Sequence, residues 1–190
     1  MIKKIGLVGE DPHDTIAIQN LLKQKYHSGM IYFSMLKNKR GDQLENNRAK
    51  NALHLECADK NPDIIIFIRD ADGTIAQTAF LEKRKNWYKE IIKGLDPKNI
   101  LLLNIYELEA LIFADIQTFN SQYHTSIKPK GNVMHLKEPK ELLRKETSKL
   151  SKKYAESHCP DLFKLLNIET ISQNCAYFRD FLQEFEKLVS

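Results

Sequence analysis

At 190 residues and 22.1 kDa, with 42% apolar and 28% charged residues, the chain has the size and composition of one folded domain with a sizeable core and not those of a disordered chain. A formal charge of +4 and a pI near 8.8 permit contact with a polyanion but fall short of the basicity that alone argues nucleic-acid binding. No apolar run approaches the roughly 18 residues of a membrane span. Cys57, Cys159 and Cys175 are too few and too scattered for a disulfide framework or a structural zinc site, so a reducing, cytoplasmic setting with no membrane contact is expected.

Lys3 to Val8 reads as an apolar strand, and after the turn Glu10-Asp11-Pro12 the apolar spacing of Ile16, Ile18, Leu21 and Leu22 predicts a helix over Thr15 to Tyr26. Met30 to Leu36 reads as a second strand, Lys37 to Asn46 as a loop, and Asn47 to Asp59 as a helix with Ala49, Ala52, Leu53 and Cys57 inward. Asp63 to Ile68 is apolar throughout, as a central parallel strand buried on both faces should be. Thr78 to Lys93 is helical in pattern, Gly94 and Pro97 interrupt it, and Asn99 to Ile105 forms a fourth strand. Such alternation predicts an α/β fold: a parallel sheet with helices on both faces and right-handed crossovers.

Past Glu109 a helical pattern runs through Phe113, and Asn120 to Val133 carries turn residues with little periodicity. Glu138 to Tyr154 reads as a basic helix, within a stretch from Lys128 to Lys153 that holds nine Lys or Arg against three Glu. Cys159-Pro160-Asp161 opens a short segment, and Ile171 to Val189 predicts one amphipathic helix with Tyr177, Phe178, Phe181, Leu182, Phe185 and Leu188 on its apolar face. That face suits the core or a homodimer interface. Residues 1–115 are expected to form the core and 116–190 a mostly helical extension of the same domain.

In a parallel sheet the carboxyl ends of the strands gather at one edge, where ligands bind. Glu10 follows the first strand, Asp70 and Asp72 the third, and Glu107 and Glu109 the fourth. Two acids at i and i+2, with Gly73 to allow a tight bend, supply the oxygen donors that a hard divalent cation takes. The same Asp-X-Asp-Gly sequence is also ordinary turn chemistry, and acids near a helix start also suit the macrodipole. Asp115 suits a cap on the helix that ends at Ala114. His13, His54, His124, His135 and His158 show no HxxxH or HExxH spacing, and no glycine-rich phosphate loop of the Walker type occurs.

IGLVGE ending at Glu10, followed later by IIIFIRDADG with Asp70 and Asp72, resembles the TOPRIM domain of topoisomerases, bacterial primases, small ribonucleases and overcoming-lysogenisation-defect (OLD) nucleases. YELEALIFAD, Tyr106 to Asp115, is similar to a helix of the small OLD-type proteins, and EPKELL, Glu138 to Leu143, to their proline-lysine element. The resemblance implies a TOPRIM-like, Rossmann-like sheet and Mg²⁺- or Mn²⁺-dependent cleavage of DNA or RNA. It further implies a role in bacterial anti-phage defence beside an ABC- or AAA-type ATPase encoded nearby. Asp70 and Asp72 would be metal ligands, Glu10 a ligand or general base, and Glu109 a ligand for a second metal. Lys140 would steady the charge developing on phosphate, with Lys130 and Lys128 the next choices.

Two other readings compete. IGLVGEDPHDTIAIQNLL also resembles a response-regulator receiver, in which Asp70 would accept a phosphoryl group. Against it, roughly sixty residues separate Glu10 from Asp70, and the fourth strand ends in Asn104 where a receiver has Thr or Ser. The third reading is a TOPRIM-like module that binds a partner or nucleic acid without cutting.

Overall fold

The computed structural model describes residues 2–128 and 131–190. Four strands, β1 (Lys3–Val8), β2 (Met30–Ser34), β3 (Ile64–Asp70) and β4 (Lys98–Asn104), pair in parallel in the order β2-β1-β3-β4. The fold is therefore α/β with a parallel sheet flanked by helices, as the alternation of elements predicts. The order places the topological switch between β1 and β3, so the crevice that such sheets use for ligands opens between Glu10 and Asp70.

Helix α1 (Pro12–Lys23) starts one turn earlier than the apolar spacing predicts, because the Asp11 side chain accepts from the His13 backbone N–H and Pro12 supplies a helical φ at the first position. Helix α2 (Asn47–Lys60) is capped by Asn46, and α3 (Thr78–Ile91) precedes β4. The loop expected between β2 and α2 contains a 3₁₀ turn, Gly41–Glu45, that folds over the sheet edge.

The two faces of β3 read out the two halves of the core. Ile64, Ile66 and Ile68 pack with α1 and the C-terminal helices, whereas Ile65 and Phe67 pack with Ala49, Leu53, Trp87 and Ile91 of α2 and α3. Beyond β4 come α4 (Ala110–Ala114), α5 (Ile116–Tyr123), α6 (Pro139–Thr147), α7 (Cys159–Leu165), α8 (Ile168–Asn174) and α9 (Ala176–Val189). Residues after 115 share one apolar cluster with Ile5, Leu7 and Ile18, so this part packs into the same core as the sheet.

Three expectations in this half need correction. The basic helix ends at Thr147 rather than Tyr154: Thr147 Oγ1 donates back to Leu143 O and accepts from Tyr154 N, turning the chain inward. Helix α5 occupies part of the segment expected to be a turn; it ends at left-handed His124, and the Asn120 amide then ties down Thr125 and Ile127. The last amphipathic helix is two helices broken at Cys175, whose backbone is extended and fully buried. Phe178, Phe181, Leu182 and Phe185 face the chain's own core, so the apolar stripe that suggested a homodimer is already covered. Among the described residues no helix is long and apolar enough to cross a membrane.

Candidate functional site

Four segments meet at the carboxyl edge of the sheet. The loop after β1 carries Glu10, the first turn of α1 carries Asp14, β3 ends in Asp70, and the turn after β4 leads to Glu109 at the start of α4. Asp70 accepts a 3.0 Å hydrogen bond from the amide of Asn104, which is fully buried at the end of β4 and whose own Oδ1 has no partner among the described residues. Burial, with Asp14, Glu109 and Glu10 nearby, pushes the Asp70 carboxyl well above the usual range, although Asn104 opposes this. The half-buried Asp14 is pushed up to about 7 by burial and by Glu109, Asp11 and Glu10. Glu109 is buried and also raised, chiefly by burial, while Lys140 and the Tyr154 hydroxyl oppose the shift. Tyr154 donates to Glu109 Oε1 at 2.9 Å and lies 3.0 Å from Cys159 Sγ.

Lys140 reaches this group from the first turn of α6. Burial works against its charge, but Glu109, Glu107, Glu156 and Asp70 outweigh burial and raise its pKa. Its ammonium lies 3.6 Å from Glu156 and 3.8 Å from Glu107. Glu107 also accepts from the Lys140 backbone N–H at 3.2 Å, so the macrodipole it serves is that of α6 rather than α4.

Asp72 sits apart from this group. It adopts a left-handed φ of 56°, and its N–H bonds Tyr106 O while Tyr106 N bonds Gly73 O, which prolongs the β3–β4 pairing past both strands. The tight bend thus falls on Asp72, and a Cβ on Gly73 would lie 3.1 Å from the Phe80 side chain, which would have to shift to admit it. The exposed Asp72 carboxylate takes Arg84 Nη2 at 2.5 Å, while Arg84 Nε donates to Asp70 O at 3.0 Å.

On the far side of Glu10 stands Arg69, whose side chain is sealed from solvent within β3. Its Nε is 2.7 Å from Glu10 Oε1, its Nη2 is 3.0 Å from Glu45 Oε1, and its guanidinium stacks 4.6 Å from the Trp87 ring. Glu45, from the 3₁₀ turn, also pairs with Arg84. One carboxylate therefore links the arginine that holds Glu10 to the arginine that holds Asp72.

Of the residues singled out from sequence, Glu10, Asp70, Glu109 and Lys140 come together, Asp72 faces Arg84, and Lys128 is exposed with no part in the cluster. Lys130 lies outside the described residues. Asp115 is structural, accepting from Thr118 Oγ1 and Asn167 N at 2.8 Å each. Asp14, Asn104, Arg69, Arg84, Glu45 and Tyr154 were not found from sequence. Arg69 alone left a signal: a charge inside IIIFIRD requires a buried partner.

The donor set, carboxylates and an amide oxygen that lacks a partner, has the chemistry that a hard divalent cation takes. Crowded carboxylates that hold protons would exchange them for such a cation. In the side-chain positions described, no group of three or more His, Cys, Asp or Glu among the described residues is arranged to hold a metal, so coordination requires side chains such as Glu10 to turn.

A family model described as a domain of unknown function, DUF4276, matches residues 9–186. No curated protein and no solved structure matches the chain.

Proposed function

We propose that this chain, which belongs to the DUF4276 family, is a TOPRIM-like nuclease that hydrolyses phosphodiester bonds of DNA or RNA with Mg²⁺ or Mn²⁺. The observation that carries the reading is the convergence of Glu10, Asp14, Asp70 and Glu109 at the switch crevice, each from a different segment, with the Lys140 ammonium beside them. A scaffold gains nothing in stability from carboxylates crowded until they hold protons, so such crowding points to a site.

Glu10, Asp14 and Asp70 would hold the cation and Glu109 a second one, with Asp72 joining once released from Arg84. When bound, the cation supplies a water of lowered pKa and polarises the phosphate. Glu10 or Asp14 would take the proton from the attacking water. Lys140, held charged by Glu109 and Glu107, would face the negative charge that grows on the phosphate oxygens. Arg69 pairs with Glu10 and Arg84 with Asp72, and these contacts fix where the two acids stand.

The role in anti-phage defence and the ATPase partner rest on the resemblance of YELEALIFAD and EPKELL to OLD-type proteins. The expected cytoplasmic location rests on the cysteine usage alone. The test is incubation of plasmid DNA, single-stranded DNA and transfer RNA with Mg²⁺ or Mn²⁺, comparing wild type with the Glu10→Ala, Asp70→Ala double variant. Metal-dependent cutting that the double variant lacks supports the reading. Cutting that survives it, or no cutting and no Mn²⁺ uptake by a folded wild type, refutes it.

A further inference from the structure

A cavity of ≈ 410 Å³ opens beside the Glu10 loop, between α1 and the end of β2. Gly9 and Asp11, the neighbours of Glu10, form one wall, so the cavity begins where the acid cluster ends. Its volume is within the range of about 300–1,000 Å³ that small ligands occupy. Ile16, 40% exposed on α1, and Phe33 of β2 give it an apolar lining, while Gln19 adds a planar amide with both a donor and an acceptor. Lys37, exposed, and Lys39, half-buried, stand at the rim.

The lysines are held there by the backbone. Leu36 has a left-handed φ of 52°, which a bulky side chain avoids unless its surroundings impose it. Here they do: the Leu36 side chain is buried, its N–H donates to Glu56 Oε1 at 3.1 Å, and its carbonyl accepts from Lys39 N at 2.8 Å. The resulting turn carries Lys37 to Lys39 over the cavity mouth. Against these two cations the lining has one carboxylate, Asp11, whose Oδ1 is taken up by the His13 N–H and imidazole. One net positive charge at the rim of an apolar slot matches one phosphodiester next to one planar base.

We propose that this cavity seats a single unstacked base of the nucleic acid, with Lys37 and Lys39 on the adjoining phosphate and Gln19 on the base edge, so that the substrate is single-stranded. The inference rests on the nuclease reading for its direction: a strand gripped there leads past the Glu10 loop to Lys140. A paired base within a helix could not enter a slot of this kind without being extruded.

The test is fluorescence anisotropy with a labelled single-stranded oligonucleotide and its duplex, at fixed salt and with Ca²⁺ present, on wild type, Lys37→Glu with Lys39→Glu, and Ile16→Trp. The last variant fills the slot without changing charge. A further variant, Lys145→Glu with Lys149→Glu, reports the basic stretch, and circular dichroism reports folding. Wild type should bind the single strand about tenfold or more tightly than the duplex, and both cavity variants should lose about tenfold while the control retains affinity. Single-strand affinity that both cavity variants leave unchanged, or equal affinity for the duplex, overturns the proposal. Calorimetric Mn²⁺ binding and cleavage on the same proteins and on Asp70→Ala separate the two readings. Cavity-dependent binding without Asp70-dependent Mn²⁺ uptake keeps the subsite and removes the nuclease; Mn²⁺ uptake and cutting with unchanged binding by the cavity variants does the reverse.

Discussion

Arg69 Nε lies 2.7 Å from Glu10 Oε1 with the guanidinium shut off from solvent, yet the two groups are not aligned as a hydrogen bond. The pair holds Glu10 at the switch crevice while leaving its carboxylate able to turn. Arg69→Met leaves Glu10 beside a buried apolar chain, while Glu45 keeps Arg84, and is expected to cost about 3 kcal/mol in urea unfolding, the low end for a broken buried pair because Glu10 keeps contact with water. Adding Glu10→Gln should recover part of that loss, since the uncompensated charge is removed with its partner.

Glu45 bridges Arg69 and Arg84 from a loop that touches none of Asp14, Asp70 or Glu109 through a hydrogen bond. If it orients the acids through the arginines, Glu45→Gln should weaken Mn²⁺ binding by about tenfold, as outer-shell changes do. Glu45→Asp should recover less than half of the loss, because the shorter chain cannot span both guanidinia. Calorimetry with Mn²⁺ measures both.

Stability should depend on pH through Asp14. Folding raises this carboxyl from 3.8 to about 7, so between about pH 4 and pH 7 the folded state binds more protons than the unfolded one. Stability therefore falls as pH rises through that window and levels off above it. Asp14→Asn should make the profile shallower, Asp70 and Glu109 supplying the slope that remains, and stabilise the protein above pH 7 by about 1–2 kcal/mol, less than the full shift implies because Asp14 keeps some contact with water. Mn²⁺ should raise the melting temperature more at pH 8 than at pH 5.

Tyr154→Phe removes the hydroxyl that serves both Glu109 and Cys159. The loss should cost about 1–3 kcal/mol, since Glu109 is buried with one donor fewer. Because the hydroxyl favours the ionised carboxylate, Glu109 should titrate higher still, and the pH at which Mn²⁺ binding is half-maximal should rise.

For Lys140, removal of the ammonium should act on cleavage rather than on metal uptake. Lys140→Met is expected to lower kcat by about 10²–10³, the cost of one group that stabilises developing charge, with Mn²⁺ affinity unchanged or improved. A kcat within threefold of wild type would assign Lys140 to the Glu107 and Glu156 pairs alone.

The strands were legible because burial leaves a local trace. The run IIIFI, short and rich in β-branched residues, reads as a strand covered on both faces, and Lys3–Val8 coincides with the span its apolar residues predict. Strand-end acids were legible for the same reason, since an apolar strand that stops in carboxylates marks the edge where it leaves the core. Helix ends were less so: Asp11-Pro12 reads as a turn until the Asp11 carboxylate is seen to cap α1, and Thr147 reads as mid-helix until its hydroxyl is seen to serve Tyr154.

What remained hidden depends on which distant elements become neighbours. No local pattern says that β3 pairs with β1 rather than β2, yet that choice alone brings the end of β3, with Arg69 and Asp70, beside the Glu10 loop. Asp14 looks like a helix-start acid until Glu109 arrives from almost a hundred residues away to raise its pKa. The Glu45 bridge between two arginines likewise exists only once the 3₁₀ turn closes over the sheet edge. Hydrophobic periodicity is a property of neighbours along the chain and so is written in the sequence. Electrostatic coupling falls with distance in space and rises as water is excluded, and both are fixed only when the long-range packing is complete.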